Sequence, residues 1–203
     1  MPSEEGMESS KTSALEKILA WLLEKFIPKA NPDFDAKYDD VETWFIEYDE
    51  ENDYTSREIG LDKDEHVIVV GPFQENLGYW VDNDLTLQNY EEHFDVQYID
   101  KAVFEKLWME IETKQAILTF LAKWNPIGVP EDIAKDEYIN YVDLIESSLR
   151  SKDELRKCLI GILRETMGLD ISSPEAFADI ENACDELMKI CFECKLGAEF
   201  EIK

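Results

Sequence analysis

The sequence predicts an α+β protein, with an antiparallel sheet and flanking helices in the N-terminal half and an all-helical bundle in the C-terminal half. Three observations lead to this prediction. Residues 41–84 contain short runs in which apolar and polar residues alternate, as in strands. Short turns separate these runs, which favours antiparallel pairing. From residue 111 onwards, apolar residues recur instead at helical spacing.

The N-terminal segment is predicted to be a flexible leader over residues 1–12, followed by a helix over 14–27. Ser13 is a suitable N-cap for this helix. Its apolar positions follow helical spacing and are Leu15, Ile18, Leu19, Leu22 and Phe26. Pro28 and Pro32 are expected to end it.

The strand region begins with residues 41–52, in which Trp44, Ile46 and Tyr48 share one face. Residues 55–61 and 65–73 predict the second and third strands, joined by a turn at residues 62–64. Residues 75–84 are expected to add a fourth strand. The short connections together predict an antiparallel meander.

Two helices are predicted next. The first begins at Thr86 or Leu87 and ends near Phe94, and the second is capped by Asp100. The buried side of the second is expected to contain Val103, Phe104, Leu107, Trp108 and Ile111. Thr113 is predicted to start a further helix that runs through Trp124.

The segment "KWNPIGVPEDIAKDEY", residues 123–138, is predicted to be a joint between helices. Pro126 forces Asn125 out of the helical region, so the helix must stop at Trp124. Gly128 permits a sharp bend. Pro130 is expected to start a turn and Asp136 to cap the next helix. Its apolar stripe is Tyr138, Tyr141, Val142, Ile145 and Leu149.

The C-terminal helices have recognisable ends. Residues 151–154, "SKDE", form a capping box for a helix that runs to Met167 and stops at Gly168. Residues 172–175, "SSPE", start the last long helix with a proline in its first turn. Gly197 is expected to close it. The change of texture near residue 111 predicts two domains, residues 13–111 and 112–203.

The charge is the most unusual feature of the composition. The chain has 47 acidic and 20 basic residues and a net charge of −27, and residues 33–65 alone contain 14 acidic and 3 basic side chains. Nucleic acids and anionic membrane surfaces are therefore poor partners, whereas a basic protein surface or a cation fits better. Solubility is an alternative reason for the charge.

Localisation follows from segments that the sequence lacks. It has no run of about 18 apolar residues, so no membrane span is expected. Its N-terminus is acidic and polar, unlike a signal peptide. These features predict a cytoplasmic protein whose four cysteines remain reduced.

The residues that most often perform chemistry do not form a recognisable motif. Cys191 and Cys194 have zinc-knuckle spacing, but they continue a helical apolar seam formed by Phe177, Ile180, Cys184, Leu187, Cys191 and Cys194. His66 and His93 stand alone and are expected at the surface. Phosphate loops and hydrolase signatures are absent. No catalytic residue, cofactor or metal ligand is therefore predicted.

Two stretches resemble small uncharacterised bacterial families. One is a helical family with a Trp-x-Pro-x-Gly…Asp-Glu-Tyr pattern, matched by Trp124, Pro126, Gly128, Asp136, Glu137, Tyr138 and Tyr141. The other is a β-rich family, matched by Trp44, Glu47, Asp49, Arg57, Glu58, Ile59, Gly60, Pro72, Asn76, Gly78, Tyr79, Trp80, Asp82, Phe104, Glu105 and Trp108. Both look like families found as immunity proteins beside secreted bacterial toxins. The resemblance implies protein binding without an assigned catalytic residue.

Two functional hypotheses follow. The first is a non-enzymatic, acidic interaction protein that neutralises a basic toxin, through the candidate partner-binding residues Asp49, Glu50, Glu51, Asp53, Glu131, Asp132 and Asp136. The second is a small-molecule- or metal-binding module. Its site would be an aromatic pocket between sheet and helices, lined by Trp44, Tyr79, Trp80 and Trp108.

Overall fold

A computed structural model describes residues 30–81 and 83–200, with side chains through residue 190. It confirms the predicted α+β class, with a three-stranded antiparallel sheet followed by helices. The chain divides into two compact units between Tyr98 and Ile99. The predicted leader 1–12 and helix 14–27 lie outside the described residues.

The sheet of the first unit is a simple meander in the order β1-β2-β3. β1 is Thr43–Asp49, β2 is Tyr54–Leu61 and β3 is Val67–Gly71, each antiparallel to its neighbour. These are the three strands that the alternating pattern predicts. Glu58 lies in the central strand, opposite Ile46 on one side and Gly71 on the other. Directly paired residues lie on the same face of an antiparallel sheet, so the side chains of Glu58 and Ile46 share one face.

The predicted fourth strand over residues 75–84 is wrong for the part that the structure describes. This segment forms only one isolated bridge, between Phe73 and Asn76. The backbone N–H groups of residues 79–81 bind the carboxylate of Glu58 instead of a neighbouring strand. The apolar residues that suggested a strand therefore belong to a loop folded against the sheet.

Helix α1, Leu87–His93, begins and ends as predicted. Thr86 Oγ1 accepts a hydrogen bond from the Asn89 backbone N–H, and Asn89 Oδ1 accepts one from the Thr86 backbone N–H, which completes a capping box. Tyr90 is the buried residue of this short helix, and its hydroxyl lies 2.9 Å from Oγ1 of Thr55 on β2. This contact attaches the helix to the sheet.

Helix α2, Lys101–Trp124, starts after the predicted cap Asp100 and is continuous. The predicted break at Thr113 is wrong, because residues 101–124 contain neither glycine nor proline. Thr113 instead donates its hydroxyl to the carbonyl of Met109, one turn earlier. The predicted domain boundary at 111/112 thus falls inside a helix, and the division lies before it. On the expected buried side, Phe104 and Trp108 are buried, whereas Val103 is exposed.

The predicted joint after Trp124 is present. Asn125 has a left-handed backbone with φ 47°, and Gly128 also has a positive φ of 65°. Helix α3, Glu131–Tyr138, begins directly after Pro130. The prediction that Asp136 caps it is wrong: Asp136 lies within this helix. The fixed φ of Pro130 already suits a helix start, and Glu131 and Asp132 complement the helix dipole there.

Three further helices complete the second unit. A 3-10 turn, Ile139–Tyr141, leads into α4, Val142–Ser148. Ser151 caps α5, Lys152–Gly161, which continues through a π-helical turn, Ile162–Thr166, to the predicted stop at Gly168. Helix α6 is Pro174–Phe200, so the predicted end at Gly197 is wrong. Glycine inside a helix costs only about 1 kcal/mol, which a packed helix tolerates.

The core of the second unit lies between α2 and the helices that follow it. Its most deeply buried side chains are Ile117, Tyr138, Ile145, Leu155, Leu159, Ile180, Cys184 and Leu187. Full burial of each Leu or Ile contributes about 1.5–3 kcal/mol. The predicted seam of α6 is confirmed at Ile180, Cys184 and Leu187, but Phe177 is exposed. The side chains of Cys191 and Cys194 lie outside those described.

Candidate functional site

A buried carboxylate organises the face of the sheet in the first unit. Glu58 has no exposed surface, and its oxygens accept hydrogen bonds from the backbone N–H groups of Tyr79, Trp80 and Val81 at 2.6, 2.5 and 3.1 Å. Burial raises the pKa of Glu58, and the three N–H bonds oppose that rise. Glu58 therefore attaches the loop of residues 72–81, the 72–81 loop, to the central strand.

The 72–81 loop approaches the sheet closely because both contact residues are glycines. A Cβ placed on Gly71 would lie 2.5 Å from the Cα of Gly78 and 3.0 Å from Glu58 Oε1. Gly78 also has a φ of +104°. The side chain of Asn31 binds both its N–H and its carbonyl, at 2.8 and 3.1 Å. This part of the loop thus has little freedom to move.

A second amide links the loop to the acidic segment of residues 33–42. The side chain of Asn76 is buried; it donates to the Asp33 carboxylate at 2.8 Å and accepts from the Asp33 N–H at 3.1 Å. Asn76 also donates to the Phe73 carbonyl. The loop is therefore fixed at Gly78, at Asn76 and at residues 79–81.

Aromatic rings gather on this face of the sheet. We define the aromatic cluster as Tyr38, Trp44, Tyr48, Tyr79, Trp80, Tyr90 and Phe94, whose neighbouring ring centroids lie 4.8 to 6.2 Å apart. Tyr79 is 50% exposed and stacks on Trp44 at 5.9 Å. Tyr38 lies 4.8 Å from Tyr79. The loop thus holds a half-exposed Tyr79 ring beside Trp44 and Tyr38.

Two polar atoms in the aromatic cluster are buried without a hydrogen-bond partner among the described residues, the Tyr38 hydroxyl and Trp80 Nε1. Burial, with the nearby carboxylates of Glu58 and Asp35, raises the pKa of Tyr38 to about 12. Tyr38 therefore stays protonated well above neutral pH.

Three of the four predicted pocket residues come together. Trp44, Tyr79 and Trp80 contact one another in the aromatic cluster. Trp108 belongs to the second unit, where it stacks on Phe104 and donates Nε1 to Glu112 at 3.0 Å. Sequence reasoning missed the contribution of Tyr38, because Tyr38 lies in an irregular acidic segment without periodicity.

The predicted acidic residues of the first unit form the tip of the β1–β2 hairpin. Asp49 accepts backbone hydrogen bonds from Glu51 and Asn52 at 2.9 and 3.1 Å, and its pKa is lowered by the Asn52 and Glu51 bonds. Glu50, Glu51 and Asp53 are exposed. The hairpin tip therefore presents three exposed carboxylates, on a turn that the Asp49 carboxylate stabilises.

The remaining predicted acidic residues, Glu131, Asp132 and Asp136, are exposed on α3 in the second unit. The opposite side of α3 is buried through Ala134 and Tyr138. These carboxylates therefore lie on the solvent side of a packed helix.

The loop between α2 and α3 is organised by Asn125. Its side chain binds both the N–H and the carbonyl of Val129, at 3.0 and 2.8 Å, and accepts the buried Tyr138 hydroxyl at 2.8 Å. Trp124 packs against the core and donates Nε1 to Asp179 at 2.8 Å. These hydrogen bonds hold the loop between α2 and α3 in place, which explains its role as a structural joint between the two helices.

The β2–β3 turn brings together one group that could hold a cation. One ligand atom from each of Asp62, Asp64 and His66 lies within 4.8 Å of the others. Asp62 accepts the N–H groups of Asp64 and His66, both at 2.9 Å, which lower its pKa. His66 is exposed, as predicted. Sequence reasoning missed this group because the three residues follow one another at intervals of two positions, a spacing that matches no metal-binding motif.

Comparison of the chain with known protein families, with curated proteins and with solved structures gives no significant match. None of the described helices combines the length and the apolar character that crossing a bilayer requires.

Proposed function

We propose that this chain is a non-enzymatic interaction protein that binds a basic protein partner, in the manner of a bacterial immunity protein that neutralises a toxin. In this proposal it acts in the cytoplasm, and binding alone is its activity. The resemblance at the positions around Trp44–Trp80 and Trp124–Tyr141 suggests the immunity class.

The observation that carries the proposal is the presentation of negative charge on a fixed scaffold. Residues 30–98 contain 20 acidic and 3 basic side chains. Of these three basic side chains, Arg57 forms a bidentate ion pair with the Glu47 carboxylate, with N···O distances of 2.7 and 3.0 Å. The exposed carboxylates at the hairpin tip are held by the Asp49 turn. A fixed negative surface speeds encounter with a basic partner and adds specificity.

The test begins with affinity capture from the source cell, followed by titration of the purified partner at increasing salt. We expect a basic partner whose affinity falls as salt rises, because screening weakens long-range attraction. The double variant E50Q/E51Q should slow association, while E165Q/E175Q, which also removes two exposed carboxylates but in the second unit, serves as a charge-matched comparison. A partner that binds equally well at all salt concentrations would contradict the proposal.

One observation favours the alternative of a metal-binding module, namely the group Asp62, Asp64 and His66. Its carboxylate and imidazole ligands suit a divalent transition metal. Calorimetric titration with zinc, nickel and manganese tests it directly. Binding at one site that is lost in H66A would support this alternative, whereas equal heats for both proteins would remove it.

A further inference from the structure

The half-exposed ring of Tyr79 has the properties of a preformed contact residue. Its backbone N–H is held by Glu58, the preceding Gly78 is held by Asn31, and its ring is backed by Trp44. Little conformational entropy remains to be lost when such a ring binds a partner. Tyrosine and tryptophan are also the residue types that most often dominate interface energies.

Exposed carboxylates lie in the segment of residues 33–42, which also contains Tyr38. Residues 33–42 include one cation, Lys37, and five exposed acidic side chains, which are Asp33, Asp35, Asp39, Asp40 and Glu42. The segment is attached to the 72–81 loop through Asp33 and Asn76. Asp39 and Asp40 share a 3-10 turn with Tyr38, and Glu42 directly precedes the strand that contains Trp44.

A half-exposed aromatic ring, with exposed carboxylates on residues that neighbour its stacking partners in the chain, matches one side chain better than any other. The planar guanidinium of arginine stacks on aromatic rings and pairs with carboxylates through two N–H groups. The lysine ammonium is more strongly hydrated and lacks the flat face. Lys37, which already lies 5.4 Å from the centre of the Phe34 ring, shows that a cation can sit over a ring in this segment.

We propose that Tyr79, backed by Trp44 and Tyr38, is the docking point for an arginine side chain of the basic partner, and that carboxylates of residues 33–42 pair with its guanidinium. This inference rests on the proposed function and specifies its site in the first unit.

The experiment uses the full chain and two labelled peptides, one with alternating arginine and glycine and one with alternating lysine and glycine. Fluorescence anisotropy measures their affinities at low salt. We expect the arginine peptide to bind more tightly, and Y79A to weaken it about five-fold or more. Y54A is the matched control, because Tyr54 is 44% exposed in the same unit and lies outside the aromatic cluster. It should leave the affinity unchanged.

Two further variants keep the test independent of folding. Y79F retains the ring and should bind like the parent chain. D39N/D40N keeps the shapes of the side chains and should weaken the arginine peptide more than E50Q/E51Q does. The denaturant unfolding midpoint and far-ultraviolet circular dichroism report whether each variant keeps its fold, since removal of the Tyr79 ring changes the near-ultraviolet signal by itself.

The outcomes separate this inference from the function on which it rests. Equal losses for Y79A and Y54A, or equal affinities for the two peptides, would overturn the docking point while leaving charge-driven binding intact. Failure of both peptides to bind at low salt would remove the proposed function as well. Dimerisation of the chain that is abolished by Y79A would show that a second copy occupies this face and would overturn the inference.

Discussion

Glu58 shows how one side chain can determine the path of a loop. A carboxylate without exposed surface would cost several kcal/mol to bury alone, but three backbone N–H groups converge on it. They in turn would be unpaired without it. The loop, the two close glycines and Glu58 are thus one structural arrangement, and the exposed ring of Tyr79 depends on it.

The substitution E58Q tests this arrangement. The amide of glutamine presents an NH2 group to backbone N–H donors, so at least one of the three loses its acceptor. We expect the free energy of unfolding at neutral pH to fall by about 1–3 kcal/mol. Denaturant unfolding, followed by near-ultraviolet circular dichroism, measures it.

The exposed Glu75 lies in the same loop and supplies the control. E75Q makes the same chemical change without removing a buried acceptor and should leave the unfolding midpoint in place. Equal midpoints for E58Q and the parent chain would show that Glu58 does not hold the loop.

Asn125 combines two roles at one position, because its backbone is left-handed and its side chain makes the bonds that close the joint. N125A should lose about 2–3 kcal/mol of stability through lost hydrogen bonds and an unfavourable left-handed alanine. N125G loses the same bonds but accepts the backbone conformation, so it should be about 1 kcal/mol less destabilised than N125A. Thermal and denaturant unfolding of the two variants, compared side by side, separate the roles; identical losses would exclude a backbone contribution.

At the scale of elements, ion pairs join α5 to α6. The Arg156 guanidinium binds Glu181 through two nitrogens, one bond measuring 3.0 Å, and Lys152 lies 3.3 Å from the same carboxylate. Bonding to Arg156 lowers the pKa of Glu181 to about 2. Glu181 pairs across two helices, so its ionised state favours their packing.

The sign of the pH effect follows from this lowered pKa. The folded state favours the ionised carboxylate, so the stabilisation is present above the ordinary pKa of 4.5 and is lost as the pH falls through about 2. The stability difference between the parent chain and E181Q should therefore shrink over this interval. Denaturant unfolding at a series of acidic pH values measures it.

The exposed Glu137 on α3 offers the same substitution away from this pair. E137Q makes the same chemical change without removing an ion pair between α5 and α6, so it controls for the substitution itself. If E181Q followed the parent chain at every pH, the ion pair would contribute nothing to the packing of α5 on α6.

Helix ends illustrate what local sequence decides at this scale. A side-chain oxygen of each predicted cap accepts a hydrogen bond from a backbone N–H; these caps are Thr86, Asp100 and Ser151. Thr113 is also a residue type that can cap a helix, but it lies inside a continuous one. Its hydroxyl donates to the carbonyl of Met109 in the preceding turn. A cap residue thus permits a helix start, and the surrounding residues decide whether one occurs.

At the scale of the whole molecule, a net charge of −27 on 203 residues implies repulsion within the folded chain. Salt shortens the screening length from about 30 Å at 0.01 M to about 8 Å at 0.15 M. We therefore expect the thermal midpoint to rise over this interval of sodium chloride.

Calorimetry at matched concentrations of sodium chloride and tetramethylammonium chloride distinguishes screening from specific cation binding, because screening depends on ionic strength alone. A midpoint that is constant or falls with salt would show that the acidic surface does not strain the fold. The result bears on function: if the acidic residues lower the stability of the fold, their number is better explained by a role in binding than by folding.

The sequence alone determined the fold class, the three strands, most helix starts and the acidic hairpin, because alternation, capping and charge are local properties of the chain. Only the tertiary structure decided that the segment after β3 is a loop, that helix α2 runs unbroken past residue 111, and that Tyr38, Trp44 and Tyr79 form one stack. The physical reason is that these outcomes depend on partners distant in sequence. The N–H groups of residues 79–81 pair with a carboxylate some twenty positions earlier, and no local pattern records that choice.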